Sequence, residues 1–490
     1  MSYALEIRNP RSWLFALVVA AAAALRLHAL DRFSYWFDEI VHTFWLNGDS
    51  AFFWRSIRFD AMHPPLDYLL GRALEMAHPT DWTRKLLPVL WGVLAVAGFS
   101  RLITRRVGFR AGILAAVLLA FAPFHVRYSQ ELLPYSLGIC FLVAALLALD
   151  RFLERPGVAR LLLLFMACLG ALYTLYLAAF VLAVAAFGML LEDAFSPVEA
   201  RRSAARRFLL FSPLFAAGLF VAYLPWWPVV LEAARRPGPI PAAPVSFDRA
   251  ARTLSFFAFA EQEGVAARPR DLVYLALCAL GLFVALRRPG ARFLAFWAVA
   301  GLAAIEALYQ IHPYWDEARR YLPAAVALPA LAALTLAAAA RSRKGGVVLA
   351  FGLAAILFFD GASLRDYFRH GRQDWRPLGA FLRARPAGEQ IFAENQWSQI
   401  CTAYYVVGRE WLFDGGRHGR PISNLDGEIA RLTYSWPPGK LAWLVIEGNP
   451  QRQELRAWAR QFEEIPFPTA DAARLYRLDP SRRDESLAGR

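Results

Sequence analysis

Residues 34–68 open with Ser34-Tyr35-Trp36-Phe37-Asp38-Glu39 and close with His63-Pro64-Pro65-Leu66-Asp67-Tyr68, directly after a very apolar segment at 12–30. Two adjacent carboxylates, Asp38 and Glu39, therefore stand about one or two helical turns beyond a membrane exit. Aromatic residues crowd them, among them Tyr35, Trp36, Phe37, Phe44, Trp45 and Trp54. Rings with an apolar body and a wet edge favour the headgroup zone of a bilayer. A carboxylate pair at that depth is costly unless it is paired, metal-bound or used in chemistry. The plain alternative is that the two acids only cap a surface helix, and spacing alone does not separate the two readings.

The composition around this stretch is that of a polytopic membrane protein. Of 490 residues, 58% are hydrophobic and 19% charged. The mean hydropathy is +0.34, too apolar for a soluble enzyme. Apolar runs at 12–30, 86–103, 111–126, 132–149, 160–173, 174–191, 208–226, 271–286, 293–310, 321–340 and 347–360 give about 11 spans. Each is near the ~20 residues a crossing helix needs, although several are short. The stretch 160–191 is too long for one helix and is expected to break between Gly170 and Tyr176.

The net charge of +14 is mostly arginine. A nucleic-acid binder would gather that charge on one face or run, whereas here it falls in short clusters between apolar segments, which excludes nucleic acid as a partner. The clusters are Arg8/Arg11, Arg105/Arg106/Arg110, Arg151/Arg155/Arg160, Arg201/Arg202/Arg206/Arg207, Arg287/Arg288/Arg292 and Arg341/Arg343/Lys344. With these spans every cluster falls on one side, and the positive-inside rule makes that side the cytoplasm. The loop 31–85 and everything after residue 360 are then outside. The first segment is read as a span and not as a cleaved leader, because it is long enough to cross.

Three of the four cysteines, Cys140, Cys168 and Cys278, lie inside apolar runs, and Cys401 stands alone beyond them. None has metal-ligand spacing, so all four read as packing residues. After residue 360 the apolar runs shorten to strand length, as at Gln390–Ala393 and Leu441–Ile446, with helical patterns at 374–385 and 450–462. The domain reading is a membrane domain over 1–360, a small α/β extracytoplasmic domain over 361–480, and a charged tail over 481–490.

The outer loops hold the other informative residues. They are the turn His125-Val126-Arg127-Tyr128-Ser129-Gln130-Glu131, the segment Tyr173-Thr174-Leu175-Tyr176, the span end Pro225-Trp226, and Arg319-Arg320-Tyr321 at the mouth of a proline-rich span. Single arginines at such places are ordinary interfacial anchors. Together, Asp38, Glu39, Glu131, Arg127 and Arg320 set acids and arginines on an outer face where basic residues are normally scarce.

This ordered set resembles the C-type fold (GT-C) membrane glycosyltransferases, in the branch of the bacterial protein O-mannosyltransferases and the aminoarabinose transferase of lipid A. The motifs that carry the resemblance are Asp38-Glu39, His63-Pro64-Pro65-Leu66, Arg127 to Glu131, Pro225-Trp226 and Arg320-Tyr321. Leu133 stands where similar proteins often have an arginine, and Leu175 where they have a histidine, which bears on the donor more than on the reaction type. The resemblance implies transfer of a sugar from a polyprenyl-phosphate carrier to an extracytoplasmic acceptor, a lipid, polysaccharide or protein, at a bacterial plasma membrane. It implies Asp38 as general base, with Arg320, Arg127, His63 and Tyr321 at the donor phosphate. Glu131 either holds a divalent cation together with Glu39 or positions the acceptor, and that cation is the one cofactor left room for. Attack opposite the phosphate implies inversion. The competing class is a transporter or flippase, against which stand the absence of repeated halves and the concentration of polar residues at one outer surface.

Overall fold

The computed structural model describes residues 10–236, 244–259, 268–313, 318–340, 343–370, 374–408, 422–425, 436, 440–447, 453–466, 473–479 and 481. The tail expected at 481–490 lies almost wholly outside them. In chain order the helices are α1 (Pro10–Leu27), α2 (Phe37–Asn47), α3 (Ser50–Asp60), α4 (Leu66–Glu75), α5 (Asp81–Arg106), α6 (Phe109–Phe121), α7 (Pro123–Tyr128), α8 (Tyr135–Glu154), α9 (Val158–Leu172), α10 (Tyr176–Ala194), α11 (Glu199–Tyr223), α12 (Trp227–Arg235), α13 (Phe247–Phe259) and α14 (Pro269–Arg287). They continue as α15 (Phe293–Ile311), α16 (Ala318–Ala325), α17 (Ala327–Ala339), α18 (Arg343–His370), α19 (Arg376–Arg383), α20 (Gln396–Val406) and α21 (Gln453–Ala459).

Eight of the described helices are long and apolar enough to cross a membrane: α1, α5, α8, α10, α11, α14, α15 and α18. The pair α16 and α17, bent by 47°, makes a ninth candidate, and α6 and α9 are shorter apolar helices. These segments match one for one the apolar runs of the sequence. The chain breaks between Leu172 and Tyr176, inside the stretch where the sequence reading divides 160–191. One boundary differs: α18 continues to His370, so residue 360 lies inside a helix and not at its end.

Two compact units emerge, one from residues 1–30 and 54–367, the other from residues 31–53 and 368–490. In the first, helix packing relies on small residues. A Cβ at Gly281 of α14 would lie 1.8 Å from the Leu331 carbonyl oxygen on α17, so only glycine permits that approach. The buried Trp297 indole donates to the Pro323 carbonyl at 2.7 Å, satisfying a polar group in the bent segment.

One end of this unit is tied by charge. Arg105 meets Asp150 at 2.6 Å, Arg106 meets Asp193 at 2.7 Å and Glu192 at 3.0 Å, and Arg201 bridges Asp150 and Asp193 at 3.0 and 3.1 Å. The Gly290 amide donates to Glu192 at 2.6 Å. The ends of α5, α8 and α10 and the starts of α11 and α15 therefore meet at one place. Several of the arginine clusters that the sequence puts on one side thus share one end of the bundle.

The second unit holds a five-stranded mixed sheet of β1 (Gln390–Ala393), β2 (Ile422–Asn424), β3 (Ala442–Glu447), β4 (Glu463–Ile465) and β5 (Ala473–Leu478), in the order β2-β1-β3-β5-β4. The pairs β1–β2 and β1–β3 are parallel, while β3–β5 and β4–β5 are antiparallel. Phe392, Trp436, Leu444, Leu455, Trp458 and Tyr476 form much of its core. Asn395 caps α20, its side chain accepting from the Ser398 amide at 2.8 Å.

Helix α2 belongs to this second unit. Phe37 stacks on Trp397 of α20 at 5.3 Å, and the Tyr35 amide donates to the Tyr405 hydroxyl at 2.7 Å. The Trp375 amide donates to Ser34 Oγ at 2.9 Å, and Arg376 donates to the Asp31 carbonyl at 2.8 Å.

Candidate functional site

The site residues read from the sequence fall in both units. Asp38 and Glu39 occupy the first turn of α2 in the second unit, where a helix N-terminus stabilises negative charge. Asp38 is half-buried and Glu39 fully buried. Glu39 Oε2 accepts from the Trp36 amide at 3.4 Å, so this carboxylate closes the start of its helix. The capping alternative thus describes Glu39, while Asp38 beside it is the more accessible acid.

In the first unit the polar turn after α6 is built by Pro123, which opens the short helix α7. Arg127 and Glu131 lie one turn apart and form an ion pair at 3.4 Å, with Glu131 buried and Arg127 half-buried. Arg127 also lies over the Tyr128 ring at 5.7 Å. Tyr128 meets Tyr135 edge to face at 5.3 Å, and Tyr135 meets His63 at 6.0 Å. The His63-Pro64-Pro65 motif is held near by the Leu66 amide, which donates to the Tyr173 carbonyl at 2.9 Å. Tyr173 in turn donates to the Ala222 carbonyl at 2.8 Å, and Trp226 donates to the Tyr176 hydroxyl at 2.9 Å. The motifs around 63, 127, 173 and 226 therefore form one contiguous constellation.

Electrostatics separates the roles within it. Burial and the charge of Arg319 lower the His63 pKa to about 4, so the imidazole is neutral at physiological pH. Burial pushes Asp67, four residues on, up to about 7. Nothing in the sequence singles out Asp67, because a desolvation shift arises only from tertiary burial. Arg319 is thus the arginine whose charge His63 feels. Arg320 lies over the Tyr309 ring at 5.1 Å, and Arg249 covers the same ring at 4.9 Å while pairing with Glu306. Tyr321 donates its hydroxyl to Glu306. The charge that reaches His63 thus comes from the neighbour of Arg320, the arginine that the resemblance sets at the donor phosphate.

A second residue that sequence reasoning missed is Arg26, fully buried near the end of α1. It donates to the Ala22 and Ala120 carbonyls at 2.9 and 3.1 Å, lies 2.6 Å from His125 Nδ1, and reaches Ser129 Oγ at 3.3 Å. Gln130 closes the same knot, donating to the Arg26 and His28 carbonyls at 2.9 Å each and accepting from Tyr367 at 2.9 Å. A Cβ at Gly92 would lie 2.2 Å from Ser129 Oγ, so α5 leaves room for the knot only through glycine. The turn bearing Arg127 and Glu131 is therefore anchored at three of its residues. The only sequence signal was an arginine inside an otherwise apolar span, which reads as functional by default.

Among the described residues no three His, Cys, Asp or Glu side chains gather as a cation would require. One Glu131 oxygen is engaged by Arg127, and Glu39 caps its own helix.

Residues 62–226 match the family described as dolichyl-phosphate-mannose-protein mannosyltransferase. The match begins one residue before His63 and ends at Trp226, so it encloses the whole constellation. Among solved structures, ArnT from Cupriavidus metallidurans in the apo state is similar at TM-score 0.57 and 14% identity, covering 96% of this chain and 99% of that one. The same protein bound to undecaprenyl phosphate gives 0.52 and 12%, covering 96% and 98%. No curated protein sequence matches the chain. The chain therefore has the GT-C membrane glycosyltransferase fold, and its residues 62–226 carry the pattern of the dolichyl-phosphate-mannose-protein mannosyltransferase family.

Proposed function

We propose that this protein is a multi-pass plasma-membrane glycosyltransferase that moves a sugar from a polyprenyl-phosphate carrier to an extracytoplasmic acceptor, with inversion at the anomeric carbon. The observation that carries the reading is the constellation of His63, Arg127, Glu131, Tyr173 and Trp226 lying wholly within the segment that matches the mannosyltransferase family. Asp38 takes the proton of the acceptor hydroxyl as that oxygen attacks the anomeric carbon, a role for a half-buried carboxylate. The bond from the anomeric carbon to the phosphate oxygen breaks, and its electrons pass to the leaving polyprenyl phosphate. Arg127, Arg319 and Arg320 supply fixed positive charge for that phosphate where it develops. Neutral His63 contributes a single N–H donor and no charge, while Glu131 orients Arg127. Tyr321 acts through Glu306 in holding the arginine cluster.

The direct test is release of radiolabelled sugar from a polyprenyl-phosphate sugar by the purified protein, with and without an acceptor extract. Acceptor-dependent release supports the reading. Movement of the intact lipid-linked sugar across a vesicle membrane without bond cleavage would place the protein among the flippases.

A further inference from the structure

We propose that the groove between α8, α9 and α11 is a binding site for an anionic glycerophospholipid, with the lipid phosphate at Arg207. The groove is a cavity of about 770 Å³ walled by Phe152, Phe165, Phe208 and Phe215, with Ser203 and Arg207 as its polar lining. That is within the roughly 300–1,000 Å³ of small-molecule sites. The aromatic walls are a packed set: Phe152 meets Phe208 at 5.4 Å, Phe208 meets Phe215 at 5.3 Å, and Phe215 meets Phe165 at 5.7 Å. Leu210, Phe211 and Leu214 on α11 are strongly exposed. In a membrane such residues face acyl chains, so the occupant of a groove beside them is a lipid tail.

Charge complementarity selects the headgroup. Of the four arginines that open α11, three are engaged within the protein. Arg201 pairs with Asp150 and Asp193, Arg202 donates to the Ser196 carbonyl, and Arg206 to the Ala194 carbonyl. Arg207 alone has no hydrogen-bonded or ion-paired partner among the described residues, and it lines the groove. It is exposed, on the helix whose first turns reach the charged end of the bundle. An unengaged guanidinium above an apolar slot matches a phosphate carried on acyl chains, and basic pockets between spans on the arginine-rich side bind anionic headgroups. The inference needs only the membrane-spanning fold and does not depend on sugar transfer.

The test is retention of lipid by the full-length protein, purified in detergent, mixed with defined phosphatidylglycerol, phosphatidylcholine or undecaprenyl phosphate, and read by native mass spectrometry. Wild type should retain phosphatidylglycerol about fivefold more than phosphatidylcholine, the scale of one arginine against an anionic lipid. Arg207→Gln should abolish that preference, and Arg206→Gln should keep it. Gly218→Phe should lower retention of both phospholipids, since a Cβ there lies only 3.4 Å from Phe165 and a larger side chain must enter the groove. Thermal unfolding of each variant confirms the fold. Equal preference in wild type and Arg207→Gln would overturn the proposal and leave Arg207 an interfacial anchor. Preferential retention of undecaprenyl phosphate would overturn it in favour of the carrier lipid.

Discussion

Asp38 and Glu39 are chemically alike and adjacent, yet burial and one hydrogen bond divide them. Glu39 accepts from the Trp36 amide and is fully buried, whereas Asp38 is half-buried. Asp38→Asn should lower sugar transfer by roughly 10²–10⁴-fold with donor binding nearly unchanged, and near wild-type turnover would move the base elsewhere. His63 and Asp67 oppose each other in pH. The native state keeps His63 neutral down to about pH 4, against 6.5 for a free histidine, so the unfolded chain binds the extra proton and stability falls as pH drops through that window. Native Asp67 keeps its proton up to about pH 7, against 3.8 when free, so its contribution rises as pH drops through the same range. Asp67→Asn leaves only the His63 effect. Its unfolding temperature should fall more between pH 7 and pH 4.5 than that of wild type, and identical slopes would show that Asp67 is not shifted. The arginine pair gives the third expectation. A phosphate clamp does not tolerate lysine, because the planar fork makes two parallel hydrogen bonds where lysine offers a point charge. Arg319→Lys should therefore weaken donor binding by about 1–3 kcal/mol, and Arg320→Lys, at a guanidinium that lies over the Tyr309 ring, should weaken it less. The opposite order, in titrations with a donor analogue, would return the clamp to Arg320.

The turn after α6 depends on α1, far away in sequence. Arg26 satisfies carbonyls that the break at Ala122 and Pro123 leaves open, and it fixes His125 and Ser129. Arg26→Gln should reduce transfer together with unfolding stability, by at least about 1–3 kcal/mol for the buried carbonyls left without donors. Unchanged activity would show that the turn holds its shape without α1. Spans themselves were legible because apolar length is a property of contiguous residues, and α9 and α10 separate in the stretch where a single helix would have been too long. The bend between α16 and α17 was not legible, since Pro323 and Pro329 are also compatible with a straight span, and Trp297 meets the Pro323 carbonyl only through packing.

For the molecule as a whole, the arginine rule predicts that the charged end of the bundle is cytoplasmic and the sheet-bearing unit extracytoplasmic. A reporter active only outside should work when fused after Ala384, beyond the end of α18, and fail when fused after Ala340. The reverse pattern would invert every assignment of side. The sequence by itself determined the membrane class, the order of spans, the strand-bearing region after them and the motifs proposed to carry the site, because hydropathy, charge placement and strand-length runs are local. Tertiary structure alone decided that α2 folds with the C-terminal sheet, through Phe37 on Trp397 and Tyr35 on Tyr405, contacts spanning most of the chain. It alone decided the pKa of His63 and Asp67 and the knot around Arg26. Each of these rests on desolvation or on hydrogen bonds between distant segments, and neither is written in a residue's neighbours along the chain.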